Sequence, residues 1–258
     1  MKKLLIFLCL FNVTNIATAQ IKTTEKDLKI VKKRTKSFGF RAIAEYNELT
    51  NRGFDALNNA LEKSQINTLP NFFSLRGFSL ILWISDKTAF EFASQTLNAQ
   101  LETTDKFINS GIPLLTGVHL KATCFTQIYK KKRWTIYLGG GISFNKLYFE
   151  IIDLQPQLNS FNNVLTNPAL SRIVDYQSDG IGVFEGFTGF DYRTKLLEEE
   201  RGAFTLGMRF GYASQVLKNK KYSKWTARHT KNEIKDFPLV NLDNYFIQFN
   251  AALNFRID

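Results

Sequence analysis

Cysteine and histidine are scarce in this chain, with two of each among 258 residues, and no later apolar run approaches the roughly 20 residues of a membrane-crossing helix. Cys9 lies in an N-terminal stretch that reads as a cleaved leader, which leaves Cys124 alone and excludes an internal disulfide. Stability must then come from hydrogen bonds and packing. His119 and His229 lie far apart, and with one cysteine they make no ligand cluster, so no metal or other cofactor is expected. Ser214 and Ser223 fall near the same side, but no spacing ties them to a histidine in a triad. A lipid-modifying hydrolase or acyltransferase built on His119 or His229 stays an alternative, and the expectation is a non-enzyme. The glycine clusters "GGG" (139–141) and "GIGVFEG" (180–186) miss the phosphate-binding spacing and open no helix. They read as bends or as room in a crowded interior.

What is present begins with "MKKLLIFLCLFNVTNIATAQ": basic Lys2 and Lys3, an apolar run from Leu4 to Phe11, and small Ala17 and Ala19. That is the layout of an export signal over residues 1–19, cut after Ala19. The formal charge is +11, collected in residues 21–36, in "KKKR" (130–133) and from Lys218 to Lys235. An exported protein rarely meets nucleic acid, so none is expected as a partner. Residues 20–36 read as a basic periplasmic segment. In "KNKKYSKWTAR", Lys218, Lys220, Lys221, Lys224 and Arg228 are candidates to meet anionic lipid headgroups, the alternative being a solvated loop.

The main signal has a period of two, the mark of a strand between two unlike media. In "YFIQFNAALNFRID" (245–258), Tyr245, Ile247, Phe249, Ala251, Leu253, Phe255 and Ile257 alternate with a mostly polar set. "AFTLGMRFGYA", "WTIYLGGGISFN" and "FGFRAIAEYN" repeat the pattern, and "GVHLKATCFTQIY", "VFEGFTGFDYR" and "GFSLILWIS" follow it less regularly. "TAFEFASQTLNAQL" is the weakest, its phase open to slippage. Long connections (50–73, 105–112, 153–179, 219–243) alternate with short ones at Asp86-Lys87, "KKKR" and "LLEEERG". The expected fold is all-β, a closed antiparallel up-and-down transmembrane barrel of eight strands over residues 37–258, with ten strands as the alternative. A short amphipathic helix at 53–66 is a candidate cap.

A soluble barrel of the lipocalin kind would alternate too, with its apolar phase inward around a ligand. Against it stand aromatic pairs on the apolar phase: Phe38 and Tyr46, Trp134 and Phe144, Phe184 and Tyr192, Phe204 and Tyr212, Tyr245 and Phe255. Each pair brackets about 20 to 25 Å along a tilted strand, close to the height of a membrane band with two aromatic girdles. The opposite phase carries Arg41, Glu45, His119, Lys121, Glu185, Asp191, Arg193, Arg209 and Arg256, expected to meet as a polar network in a narrow lumen. Tyr137, Phe125, Tyr129, Trp83, Phe187 and Phe246 would fill the remaining space.

With its leader, eight alternating segments and aromatic-rich last strand, the chain resembles the OmpA-type and PorT-type outer-membrane β-barrel proteins. The resemblance implies residence in the bacterial outer membrane and insertion by a barrel-assembly machinery that reads the last strand, here through Leu253 and Phe255. The family usually ends on an aromatic residue, whereas this chain runs on through Arg256 and Ile257 to Asp258. No peptidoglycan-binding domain is expected. A structural or interaction role follows, through outer-membrane lipids and a periplasmic or surface protein partner. Narrow transport of small or apolar solutes is the alternative.

Overall fold

A strand in lipid has no water to satisfy its peptide groups, so every edge must find a partner, and ring closure is the way a sheet achieves this. The structure, a computed structural model, describes residues 36–50, 53–64, 66–100, 112–152, 174–194, 202–216 and 224–257. The expected signal peptide and nearly all of the basic N-terminal segment lie outside these residues. In chain order the elements are β1 (Lys36–Leu49), α1 (Asp55–Lys63), β2 (Phe72–Trp83), β3 (Thr88–Gln100), β4 (Ile112–Lys131) and β5 (Trp134–Ile152). They continue with β6 (Val174–Ser178), β7 (Ile181–Arg193), β8 (Gly202–Gln215), β9 (Trp225–Ala227), β10 (Glu233–Ile234) and β11 (Asn244–Ile257).

Eight strands, not ten, form the barrel. β1 to β5 pair in sequence, β5 continues to β7, β7 to β8 and β8 to β11, all antiparallel. β11 then pairs with β1 from Lys36 opposite Ile257 to Leu49 opposite Asn244, which closes the ring. The three short strands build a side flap: β6 extends the sheet from the far end of β5, β9 pairs with β6, and β10 with β9. The long connections assigned at 153–179 and 219–243 therefore contain strands. The flap is packed by Trp225 stacked on Phe237 at 4.0 Å, with Tyr176 and Phe149 edge-on to Phe237.

The alternation has one sense everywhere. Along β1, Arg41, Ile43, Glu45 and Asn47 are buried while Phe40, Ala42, Ala44 and Tyr46 are exposed; along β11, Phe246, Gln248, Asn250 and Ala252 are buried while Tyr245, Ile247 and Phe249 are exposed. Phe78 is 75% exposed and Arg209 is 0% exposed. This is the reverse of a lipocalin-like barrel, whose apolar phase would line the cavity, and it overturns that alternative. β3 settles into the same frame, with Glu91, Gln95 and Leu97 inward and Phe90 and Phe92 outward.

Two departures have local causes. The register of β4 against β5 shifts between Gln127 and Tyr129, a bulge that places Tyr129 opposite outward-facing Ile136. Tyr129, assigned above to the lumen, is thus on the outer surface. Between β1 and β2, α1 spans fewer residues than the 53–66 expected of it, and one face buries Leu57 and Leu61 at i and i+4. These join Phe54, Leu69, Phe73, Leu75, Leu97, Leu115 and Leu147 in one buried cluster at one end of the lumen. The Asn58 side chain fixes the returning chain, donating to the Leu69 carbonyl at 2.9 Å and accepting from the Leu69 amide at 2.8 Å. The Asn241 amide in turn donates to the Gly53 carbonyl, tying the cap to the last connection.

Candidate functional site

Below that apolar cap, side chains of six strands meet across the lumen, five of them in a closed ring. Glu91 of β3 accepts from Arg41 of β1 at 3.1 Å and from Arg209 of β8, and Ser79 of β2 donates to it at 2.6 Å. The other Arg41 nitrogen donates to Asp191 of β7 at 3.2 Å, and Asp191 accepts from the Tyr137 hydroxyl of β5, also at 3.2 Å. Arg209 Nε donates to that same hydroxyl at 3.1 Å, so the circuit returns to its start. Aromatic faces close the remaining sides, with the Arg209 guanidinium 4.6 Å from the Phe187 ring centre and 5.2 Å from that of Phe125. Glycine makes the ring possible: a side chain at Gly207 would overlap Asp191, and one at Gly139 would overlap Phe125 and Phe187.

Nearer the cap, Lys121 lies 2.8 Å from Glu185 and 3.6 Å from Glu45, above the Phe246 ring at 5.2 Å. His119 pairs with the Asn145 side-chain oxygen at 2.7 Å. The lumen is thus layered: an ionic ring, a lysine held between two carboxylates, and an apolar cap. Charges this deep need such pairing, since an unpaired buried ion costs several kcal/mol, about 3–5 when one partner is removed.

Of the nine polar residues assigned to the lumen, the structure brings Arg41, Asp191 and Arg209 together in the ring and Glu45, Lys121 and Glu185 in the second layer, with His119 beside Asn145. Arg193 corrects the assignment: it is exposed, because β7 ends there at the barrel rim. The Arg256 side chain lies outside the described ones, although its backbone pairs with Ser37. Glu91, the acceptor common to both arginines, was not among the nine. Its signal was a surplus of charge, since five basic residues in that set faced three acidic ones.

The ten aromatics on the apolar phase fall towards two ends. Phe38 stacks on Phe255 at 5.3 Å and Trp134 meets Tyr192 at 4.8 Å, with Phe204 opposite Leu253 at that same end. Towards the other end, Tyr46 stacks on Phe72 at 5.5 Å and Tyr212 meets Tyr245 at 5.1 Å, with Phe144 and Phe184 on the upper halves of β5 and β7. Lys218, Lys220 and Lys221 lie outside the described residues, as does Ser223. Lys224 is exposed and 3.9 Å from Glu233. Arg228 is engaged within the flap, donating to Glu150 at 3.0 Å and Asp175 at 3.2 Å beneath the Tyr148 ring. His229 is an exposed neighbour of Asp175, remote from His119, and Ser214 sits opposite Phe184 on the outward phase. No catalytic grouping joins these histidines and Ser214.

No protein-family model matches the chain, and the comparison with curated proteins finds no match. Among solved structures, the outer membrane protein OprG from Pseudomonas aeruginosa aligns at 10% identity over 87% of this chain and 98% of its own, with a TM-score of 0.47. Ail, the attachment invasion locus protein of Yersinia pestis, aligns at 8% identity over 87% and 99%, with a TM-score of 0.41. The outer membrane protein W of E. coli aligns at 15% identity over 87% and 100%, with a TM-score of 0.38.

Proposed function

We propose that this chain is an integral protein of the bacterial outer membrane, a plugged barrel that acts through its rim and outer surface rather than as a passage or a catalyst. The supporting observation is inverted polarity: Phe78, Phe92, Ile142, Phe184 and Phe249 stand at least half exposed around the wall, while Arg41, Glu91 and Arg209 are buried at its centre. In water, each such apolar side chain would forgo half or more of the about 1.5–3 kcal/mol that full burial supplies. A lipid annulus restores that term for all of them at once, and ring closure removes the unpaired edge that lipid would punish.

The ionic ring crosses the lumen, which favours a structural or interaction role over conduction. The flap of β6, β9 and β10, together with the cap, forms the surface for a protein partner, and Leu253 and Phe255 on the outward phase of β11 serve the assembly machinery. Membrane fractionation with gel mobility before and after heating tests the reading. The folded chain should stay with the outer membrane and migrate faster unheated. Its recovery, folded, from a soluble fraction without detergent would reject the proposal.

A further inference from the structure

On the outer wall, where β4 turns into β5, lies an open groove of about 660 Å³ lined by Tyr129, Lys131, Lys132, Trp134, Thr188 and Phe210, among others. Resting on the outer-membrane reading, we infer that this groove binds one anionic glycerophospholipid of the leaflet on the turn side, an acyl chain along the wall and the phosphate at the lysines.

The floor is made by Ile136, Thr188 and Gly189, and beyond it the wall runs on over two glycines. Gly140 lies opposite Gly186 and Leu138 opposite Thr188 across β5 and β7, and a methyl group added at Gly186 would meet nothing within 4 Å. Phe210, opposite Thr188 on β8, stands to one side, and Trp134, in ring contact with Phe190 and Tyr192, closes the turn end. A trough that is apolar along its length and ends at two ammonium groups matches a lipid with a charged head, not a neutral acyl chain alone.

The head end carries a second, independent feature. The β4 bulge brings Tyr129 out of the lumen phase and onto this wall, adding a phenolic hydroxyl beside the lysines. Lys132 is held at the tight turn with φ 52, which fixes where its side chain starts. Lysine, tyrosine and tryptophan at the boundary of the apolar band supply charge, a hydrogen-bond donor and an amphipathic ring where a phosphate sits.

The test uses the full-length chain folded in detergent and exposed to equimolar phosphatidylglycerol and phosphatidylcholine of matched acyl length, with retained lipid read by native mass spectrometry. The wild type should keep one phosphatidylglycerol with about a thirtyfold preference, the scale set by two lysines near an anionic headgroup. The double variant Lys131→Gln/Lys132→Gln should bring the preference close to parity, and Gly186→Leu with Thr188→Leu should reduce retention of both lipids. A lysine variant that retains phosphatidylglycerol as the wild type does overturns the inference. Equal retention of both lipids by the wild type overturns it too. Unheated gel mobility of each variant separates these outcomes from misfolding, and a wild type that folds only without detergent sinks the membrane reading itself.

Discussion

Removing the Glu91 carboxylate takes from Arg209 its carboxylate partner and leaves Arg41 with Asp191 alone, in a site that is buried. Glu91→Ala should therefore lower stability by about 3–5 kcal/mol, measured by urea unfolding of the vesicle-inserted protein. The same change at exposed Glu233, whose partner Lys224 is half in solvent, should be close to silent. On the outer face, Leu206→Arg places a charge on a residue 47% exposed to the surroundings. If that position lies near mid-membrane, the cost is about 2–4 kcal/mol; a negligible effect in vesicles would count against lipid contact there. The parity of Arg41, Arg209 and Leu206 was legible, because a strand assigns sides by counting, whereas that of Glu91 stayed open on the segment of weakest alternation. Ring membership was not, since contact across a lumen joins residues 50 to 150 apart with no local trace. Tyr129 shows how counting fails, for one inserted residue reverses every side downstream of it.

Elements differ in how much they announce themselves. The barrel strands are long, and each lies between lumen and wall, so the period is written many times over. β9 and β10 have three and two residues, too few for any period to register, and their order depends on Trp225 packed against Phe237. Trp225→Ala should free the flap, read as new protease cleavage between β9 and β11 with unheated gel mobility unchanged. α1 was visible through its apolar spacing, but its docking was not, because the residues that receive it belong to β2, β3, β4 and β5. Leu61→Ala should cost about 2–5 kcal/mol at the cap. Limited proteolysis should then cut between β1 and β2 faster than in the wild type, while the wall stays folded.

For the molecule as a whole, the solvent on each side sets the pattern, and for that reason the architecture could be read before any contact was known. A lumen bridged by Arg41, Glu91, Arg209, Tyr137 and Asp191 should pass no current above background in a planar bilayer, and steady single-channel steps would contradict the plug. Opening it should take loss of both the ring and the cap, since each blocks the lumen at a different level.

The seam between β1 and β11 joins residues at opposite ends of the described chain, Lys36 with Ile257. Native registry there requires closing a loop of the greatest possible span, the slowest kind of pairing. Until its last dozen residues arrive, the polypeptide has two sticky borders and nowhere to hide them. A chain cut short before β11 would keep both borders open, so a late stop codon should be far more harmful than a substitution.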